Sequence, residues 1–501
     1  MSMQGFTWID TVVLVVYLLG VLVAGLWFSN KEHQGKEFFK GDGTIPWYVT
    51  CVSIFATLLS PISFLSLPGN SYGGSWILWW AQIGMLIAIP LTIRYFLPIY
   101  STLQIDTAYH YLEKRFNSKG LRILGALMFI IFQTGRMSII MYLPCIALAE
   151  LTGIHVNILI IAMGVIAIIY SYSGGLKAVL YTDFIQGVIL IVGIALTLVV
   201  MILSINGGFG TVWDTLTTGH KFLLQNEVWM SPDILSTSVF VILVGGGLTT
   251  FASYVSSQDI VQRFTTTTDI KQLNKMTLGN GVLSIFSATV FYLVGTSLYV
   301  FYHQNPDLLM TTRQDLVFAT YITYELPTGI TGILLAAIFA AAQSTLSTGI
   351  NSVATSWVLD IQSVLNPGMS NARQTKIAQY VSLGIGVLSV FVAIFLASGD
   401  IKSAYEWFNS FIGLALGALV GIFVLGAFSK RANTTGAVVA FIVSSIVIVY
   451  LKYCVPSVSY WTYTIITIVI ALVVGNLVSI ATNKDYLAPK GTTVYTSRKP
   501  Q

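Results

Sequence analysis

The chain has 501 residues, of which 55% are hydrophobic and only 9% are charged, and its formal net charge is +5 at pH 7. Soluble proteins usually carry about 25% charged residues. The composition therefore excludes a soluble globular protein and indicates a chain that lies mostly in a lipid bilayer. The positive charges are not clustered as a nucleic-acid-binding surface requires, so no nucleic-acid partner is expected.

Apolar stretches of about 20 residues, the length that spans a bilayer as a helix, occur thirteen times. We therefore predict an all-α polytopic membrane protein with about 13 transmembrane helices. No Pro- or Ser-rich linker divides the chain, so residues 1–501 are predicted to form a single transmembrane domain. The predicted spans are 8–28, 47–67, 75–99, 121–149, 156–175, 180–204, 236–261, 276–302, 326–358, 376–397, 404–428, 434–454 and 461–481.

The loops between these spans differ in positive charge. Of the 25 Lys and Arg residues, 19 fall on one side, Arg263 among them, and four on the other, while Arg94 and Arg136 fall within spans. Cytoplasmic loops carry the excess of Lys and Arg in membrane proteins. The N-terminus is therefore predicted to lie outside and the C-terminus in the cytoplasm.

Two of the predicted spans contain residues that disfavour a continuous helix. The second span holds SPIS at residues 60–63, where Pro61 lacks an N–H and its ring displaces the carbonyl of Thr57. The seventh span holds VGGGLTTFAS at residues 244–253, where three glycines disfavour helix. We predict a break in each span. Gly and Pro are also simply frequent in transmembrane helices, which is the alternative explanation.

Interrupted helices in corresponding positions of two halves are typical of secondary transporters built from inverted repeats, with the binding site at the membrane midplane. Here the two breaks lie five spans apart. The repeats are predicted over residues 47–204 and 236–428. The extra helix 8–28 would precede them, and the helices within 434–481 would follow.

The ninth span carries a cluster of hydroxyl groups within the sequence AAIFAAAQSTLSTGINS, residues 336–352. Residues three and four apart share a helix face, so most of the cluster faces one way. It can serve hydrogen bonding to neighbouring helices or to its own backbone. Alternatively, together with carbonyls freed near Ala56 and Leu59 in the broken second span, it can bind a monovalent cation. The hydroxyl residues are Ser344, Thr345, Ser347 and Thr348.

Two of the charged residues inside predicted spans, Asp183 and Arg136, need an explanation. An intramembrane carboxylate is a functional candidate, and Asp183 also lies near a helix start, where the helix dipole favours an acid. Arg136 lies near the centre of the fourth span. It either anchors a substrate carboxylate with its guanidinium fork or pairs with an acid, and Asp183 is the obvious intramembrane partner.

Three motifs, GGLKAVLYTDFIQG, SSQDIVQRF and AAIFAAAQSTLSTGINS, resemble the sodium/solute symporter family. The resemblance implies a LeuT-type 5+5 inverted repeat, with one extra helix before it and two after it, and Na+ as the coupling ion. It implies a shared sodium site at the carbonyls of Ala56, Leu59 and Ala341 and the hydroxyls of Ser344 and Thr345. For the sialic acid branch it implies a second sodium site at Asp183, Ser344, Ser347 and Thr348.

The sequences FQTGRMSII and FATLLSPISF…WWAQ are similar to the sialic acid branch of this family. That similarity implies that Arg136 holds a substrate carboxylate, that Ser60, Ser63 and Gln82 bind hydroxyls or an acyl amide, and that Thr250 is a further contact.

The predicted function is sodium-coupled import of an anionic sugar, most simply sialic acid, by alternating access. We expect a functional monomer in a bacterial cytoplasmic membrane. The alternatives in the same class are symport of proline, a short organic acid or a galactose-like sugar. An ion channel would need a continuous polar stripe, whereas the chain has short polar clusters. An intramembrane enzyme would need a nucleophile with a paired base, and no His falls deep in a span, so no enzymatic activity is expected.

Overall fold

The computed structural model describes residues 7–29, 36–41, 43–233, 235–398 and 404–497. These ranges are helical and contain no strand. Two π-helical segments, Thr92–Phe96 and Trp357–Gln362, and two 3-10 turns, Pro306–Leu308 and Tyr460–Thr462, accompany the α-helices. The α-helices are α1 (Trp8–Ser29), α2 (Lys36–Lys40), α3 (Trp47–Leu58), α4 (Pro61–Gly73), α5 (Trp79–Ile83), α6 (Met85–Leu91), α7 (Leu97–Leu103), α8 (Ala108–Phe116), α9 (Lys119–Thr152), α10 (Val156–Leu203), α11 (Gly208–Thr217), α12 (Val239–Ser256), α13 (Gln258–Phe264), α14 (Ile270–Gln304), α15 (Gln314–Tyr324), α16 (Ile330–Ser356), α17 (Ser363–Leu365), α18 (Asn371–Ala397), α19 (Ala404–Phe428), α20 (Thr434–Cys454) and α21 (Tyr463–Thr482).

Many of these helices are suited to a bilayer. Among the described residues, ten helices are long and apolar enough to cross a membrane, or eleven if the bent pair α3 and α4 is one span. Two shorter apolar helices, Val156–Ile169 and Leu416–Phe428, fall within two further predicted spans. The prediction of an all-α polytopic membrane protein is confirmed. The number of thirteen spans stays a prediction.

The second predicted span is broken where the sequence indicated. Helix α3 ends at Leu58, α4 begins at Pro61, and the two axes are bent by 62°. Pro61 occupies the first turn of α4, a position where the missing N–H removes no helical hydrogen bond. Ser60 is the N-cap of α4, and its hydroxyl accepts a hydrogen bond from the Ser63 N–H. The break is therefore formed by local residues.

The prediction of a break at residues 244–253 is wrong. Helix α12 runs without interruption through the three glycines, and the chain leaves helical geometry only at Ser257, with φ −89° and ψ 119°. The glycines instead allow other backbones to come close. A Cβ atom on Gly247 would lie 2.6 Å from the backbone oxygen of Gly84, and one on Gly245 would lie 2.1 Å from that of Trp461. Packing between helices, which the sequence pattern does not display, explains these residues.

We predict that Gly247→Ala destabilises the protein, because the added methyl group meets backbone atoms that a side-chain rotation cannot move. Overpacking of this kind typically costs about 1–3 kcal/mol. Thermal unfolding of the purified protein in detergent measures the effect. Gly384→Ala on α18 is the matched control, because its Cβ would have no neighbour within 4 Å. If both variants unfold at the wild-type temperature, the close approach does not contribute to stability.

The fold brings Asp183 and the hydroxyl cluster together at its centre. The predicted spans 156–175 and 180–204 are two helices, numbered together as α10, that meet at a kink at Gly175, where φ is 55° and ψ is −168°. Helix α16 packs against α10, α9 and α3. In the most apolar stretch of Ile330–Leu365, 89% of the residues are buried, against 17% in that of Trp8–Phe28. Thus α16 is a central helix and α1 a peripheral one.

Candidate substrate and ion site

A cavity of about 130 Å³ lies beside the broken second span. Four of the five predicted substrate residues line it: Ser63, Gln82, Arg136 and Thr250. Ser60 does not line it, since its side chain is buried at the start of α4 and caps that helix. The other lining residues are Leu58, Leu59, Leu67, Met85, Phe132, Thr249, Ser253, Ser257, Asp259, Ile260, Ser284, Ala288 and Leu416. The cavity is thus lined by hydroxyl and amide groups and by one buried cationic side chain, that of Arg136.

Arg136 is held by two groups that approach it from different helices. Its Nη1 donates to Asp259 Oδ2 at 2.5 Å, and its Nη2 donates to the backbone oxygen of Thr57 at 2.9 Å. Its Nε has no hydrogen-bond partner among the described residues. The expectation that Asp183 is the intramembrane acid available to Arg136 is wrong, because Asp259 takes that place. The Thr57 carbonyl that Pro61 displaces finds its partner in this guanidinium.

The oxygen atoms of the predicted shared sodium site lie close together. The Ser344 hydroxyl donates to the Ala56 carbonyl at 2.8 Å and lies 3.4 Å from the Ala341 carbonyl, while the Thr345 hydroxyl donates to Ala341 at 3.0 Å. Leu59, the fifth residue of the set, is the C-cap at which α3 ends. Hydroxyl and carbonyl oxygens are ligands that hard cations prefer. The donor set therefore fits a sodium ion.

The predicted second sodium site is built around Asp183, which is fully buried. Its Oδ2 accepts hydrogen bonds from Ser53 at 2.7 Å and from Thr348 at 3.1 Å. Its Oδ1 has no hydrogen-bond partner within the described part of the chain. Ser347 is nearby on α16, where its hydroxyl donates to the backbone oxygen of Ser344 at 3.1 Å.

A cationic side chain, Arg263, already occupies the Asp183 cluster. Its Nη2 donates to Asp183 Oδ2 at 2.7 Å and to the Thr348 hydroxyl at 2.5 Å, and its Nε donates to Ser53 at 2.9 Å. The charge count placed Arg263 in a loop, which is wrong, because the residue lies in helix α13 and is only 1% exposed. Its guanidinium lies among the groups that the sequence assigned to a sodium ion.

Sequence reasoning assigned no role to Asp259, Arg263 or Ser53. Asp259 and Arg263 lie within the quoted motif SSQDIVQRF, one helical turn apart in α13. An acid and a base spaced by four residues at the end of an apolar span are the signal that could have indicated buried pairing. Their partners, Arg136 and Asp183, are 123 and 80 residues away along the chain, so only the tertiary structure identifies them.

A proline-broken helix, carbonyl oxygens facing a hydroxyl-bearing central helix and an adjoining polar cavity are together typical of membrane secondary transporters. The model of the sodium:solute symporter family matches residues 38–444. The chain belongs to the sodium:solute symporter family, a family of transporters and not of enzymes.

Individual relatives agree with this assignment. The chain is 34% identical to the sodium/sialic acid symporter SiaT of Proteus mirabilis (strain HI4320), covering 90% of this chain and 91% of the relative. It is 30% identical to the sodium/sialic acid symporter NanT of Aliivibrio fischeri (strain ATCC 700601 / ES114), covering 95% of this chain and 94% of the relative.

A solved structure of a Na+-coupled sialic acid symporter in a substrate-bound outward-open state superposes with a TM-score of 0.88. It is 31% identical and covers 97% of this chain and 99% of that one. The predicted LeuT-type fold class is confirmed.

Proposed function

We propose that this protein is a sodium-coupled symporter that imports sialic acid (N-acetylneuraminate), an anionic sugar, by alternating access. One structural observation carries the proposal: a buried arginine lines a cavity that also presents Ser63, Gln82 and Thr250. A carboxylate pairs with the guanidinium fork, and hydroxyl and amide groups suit a polyhydroxylated sugar. Relatives named as sodium/sialic acid symporters, 30% and 34% identical, support the same substrate.

In this proposal Arg136 holds the substrate carboxylate, and Ser63, Gln82 and Thr250 contact the hydroxyl and acyl amide groups. Ser60 contributes through the N-cap of α4, which positions Ser63 at the cavity wall. Because Arg136 is paired with Asp259, the substrate carboxylate must compete with that side chain for the guanidinium.

The proposed sodium ions occupy the two clusters beside the cavity. The first binds the carbonyls of Ala56, Leu59 and Ala341 with the hydroxyls of Ser344 and Thr345, all neutral ligands. The second binds the carboxylate of Asp183 with three hydroxyl groups. Since Ser344 belongs to both clusters, the two ions would lie next to each other. The hydroxyl ligands of the second ion are Ser344, Ser347 and Thr348.

We further propose the arrangement of the chain in the membrane. Residues 47–204 and 236–428 form the two inverted repeats of a single domain, preceded by helix 8–28 and followed by the helices within 434–481. The asymmetry of loop charge supports a cytoplasmic C-terminus and an outside N-terminus in a bacterial cytoplasmic membrane, with the monomer as the functional unit.

Uptake into proteoliposomes tests the proposed substrate and ion. Purified protein is reconstituted, and labelled N-acetylneuraminate, galactose and proline are compared with and without a sodium gradient. We expect accumulation of N-acetylneuraminate only, and only with sodium. Accumulation of galactose or proline instead would assign a different substrate within the family, and sodium-independent accumulation would contradict the coupling.

We predict that transport responds to membrane potential, because two sodium ions and one carboxylate move a net charge of +1 inward in each cycle. A potential of 100 mV then contributes about 2.3 kcal/mol per turnover. Valinomycin and a potassium gradient set the potential in the same proteoliposomes, and an inside-negative potential should increase the accumulation. Accumulation that is independent of potential would indicate one sodium ion per substrate, since that stoichiometry is electroneutral.

A further inference from the structure

We propose that the half-helix α13 couples sodium binding to substrate binding by an exchange of ion pairs. Asp259 pairs with Arg136 until a substrate carboxylate replaces Asp259, and Arg263 pairs with Asp183 until a sodium ion replaces Arg263. This inference rests on the proposed function, since it concerns the same two ligands. It assigns to Asp259 and Arg263 the role of positioning residues that compete with the two ligands for Arg136 and Asp183.

The geometry that supports this inference is the position of both charges on one short helix. Asp259 and Arg263 are four residues apart in α13, and both are buried. Asp259 bonds Arg136 at 2.5 Å in the substrate cavity, while Arg263 bonds Asp183 at 2.7 Å in the sodium cluster. One helical turn therefore carries an anion that mimics the substrate carboxylate and a cation that mimics the ion.

Charge balance explains why both ligands should bind together. The four side chains form two neutral pairs, which a low-dielectric interior requires because an unpaired buried charge is unfavourable. One carboxylate at Arg136 and one cation at Asp183 add no net charge to this set. Either ligand alone adds one unit of net charge. For these four side chains, the two ion pairs alone and the pairs of Arg136 with the substrate carboxylate, Asp183 with one sodium ion and Asp259 with Arg263 are therefore both neutral.

The displaced side chains of α13 can neutralise each other. Acid and base four residues apart on a helix are neighbours, and the order with the acid first is the more favourable one. Arg263 Nη1 already donates to the backbone oxygen of Asp259. When Arg263 leaves Asp183, the carboxylate one turn earlier, that of Asp259, is thus an acid within its reach.

Asp259 also keeps hydrogen bonds when it leaves Arg136. Its Oδ1 accepts from the Ser257 hydroxyl at 2.5 Å and from the Ile260 N–H at 3.0 Å, both at the start of α13. Only its Oδ2 changes partner. The order of events follows: sodium releases Arg263 from Asp183, Arg263 takes Asp259, and Arg136 becomes available to the substrate carboxylate. Sodium should therefore raise the affinity for the acidic sugar.

The test measures the Kd of N-acetylneuraminate for the purified full-length protein at low and at high sodium, with potassium keeping ionic strength constant. In Asp259→Asn, Arg136 is free without sodium, so binding at low sodium should tighten by about tenfold, within the 5–150-fold range usual for coupled sites. In Arg263→Gln, no cationic side chain remains on α13 to take Asp259 from Arg136. Binding of N-acetylneuraminate should therefore stay weak at high sodium. The opposite direction of these two effects is the signature of the exchange.

Two further variants make the test independent of any one substitution. The double variant Asp259→Asn/Arg263→Gln should bind like Asp259→Asn, because no acid remains to be drawn away. Asp183→Asn should release Arg263 as sodium does, and so tighten substrate binding at low sodium without altering a residue of the substrate cavity. It thus tests the exchange even where Asp259→Asn does not fold.

Asp360→Asn is the matched control. Asp360 is fully buried and bonds Arg122 at 2.7 Å, but it does not line the cavity. Its loss should lower thermal stability and leave the sodium dependence of substrate affinity unchanged.

Weaker binding in both Asp259→Asn and Arg263→Gln, with no tightening in Asp183→Asn, would overturn the exchange and indicate static pairs. Wild-type protein that accumulates no sialic acid with sodium would instead refute the proposed function.

Discussion

Arg136→Ala is expected to abolish binding of the acidic sugar. Breaking a buried charge pair by removing one partner typically costs about 3–5 kcal/mol, and each 1.4 kcal/mol is about tenfold in Kd. A loss of at least about 100-fold in affinity should therefore appear in titrations of the purified variant with N-acetylneuraminate. Since Asp259 also loses its partner, the Ala variant should be less stable as well.

Arg136→Lys separates the loss of binding from the loss of stability. The ammonium keeps a positive charge beside Asp259, so the variant should unfold close to the wild-type temperature and retain stabilisation by sodium. It lacks the planar fork that holds two oxygens at once. Its affinity for the acid should thus be much nearer to that of the Ala variant than to wild type.

The methyl ester of the substrate identifies what Arg136 recognises. The ester keeps the sugar but carries no negative charge, so wild type should bind it far more weakly than the free acid. The Ala variant should bind ester and acid about equally weakly. If wild type binds the two alike, Arg136 has only its structural pair with Asp259, and the proposal of an anionic substrate is wrong.

Ser344→Ala and Thr345→Ala are each expected to remove sodium-driven uptake. Each deletes a hydroxyl oxygen from the cluster around the Ala56 and Ala341 carbonyls. Losing even an outer partner of a metal ligand typically costs about 10–100-fold in metal affinity, so loss of a direct ligand should cost at least as much. Uptake rates as a function of sodium concentration, and sodium-induced shifts in unfolding temperature, measure the effect.

Ser352→Ala is the control for this experiment. Ser352 is also a buried serine of α16, but its hydroxyl donates to the backbone oxygen of Gly349 at 3.0 Å and belongs to neither predicted sodium site. It should insert, fold and transport with the sodium dependence of wild type. Normal sodium dependence in both Ser344→Ala and Thr345→Ala would exclude the shared sodium site at this position.

The break in the second span and the presence of long apolar helices were predictable because their causes are local. Pro61 cannot donate a backbone hydrogen bond in any fold, and Ser60 directly before it supplies the N-cap of a new helix. Hydrophobic length decides membrane insertion in the same way. The cluster from Ser344 to Thr348 likewise follows from helical spacing alone, once α16 is recognised as a helix.

The three glycines of α12 show where such reasoning fails. Their helix propensity indicated a break, whereas their function is to admit the backbones of Gly84 and Trp461. Propensities within a helix differ by about 1 kcal/mol for Gly, and packing against neighbours easily overrides that amount. The break of that span therefore lies at Ser257, where no glycine or proline marks it.

The sequence by itself determined that this protein is a polytopic membrane protein with a broken helix, a hydroxyl-bearing helix and an arginine inside a span. Each of these depends on the chemistry of neighbouring residues. Only the tertiary structure decided the partners: Asp259 for Arg136, and Arg263 for Asp183. A buried charge requires an opposite charge, but the requirement does not say which one, because residues distant along the chain become neighbours only through helix packing.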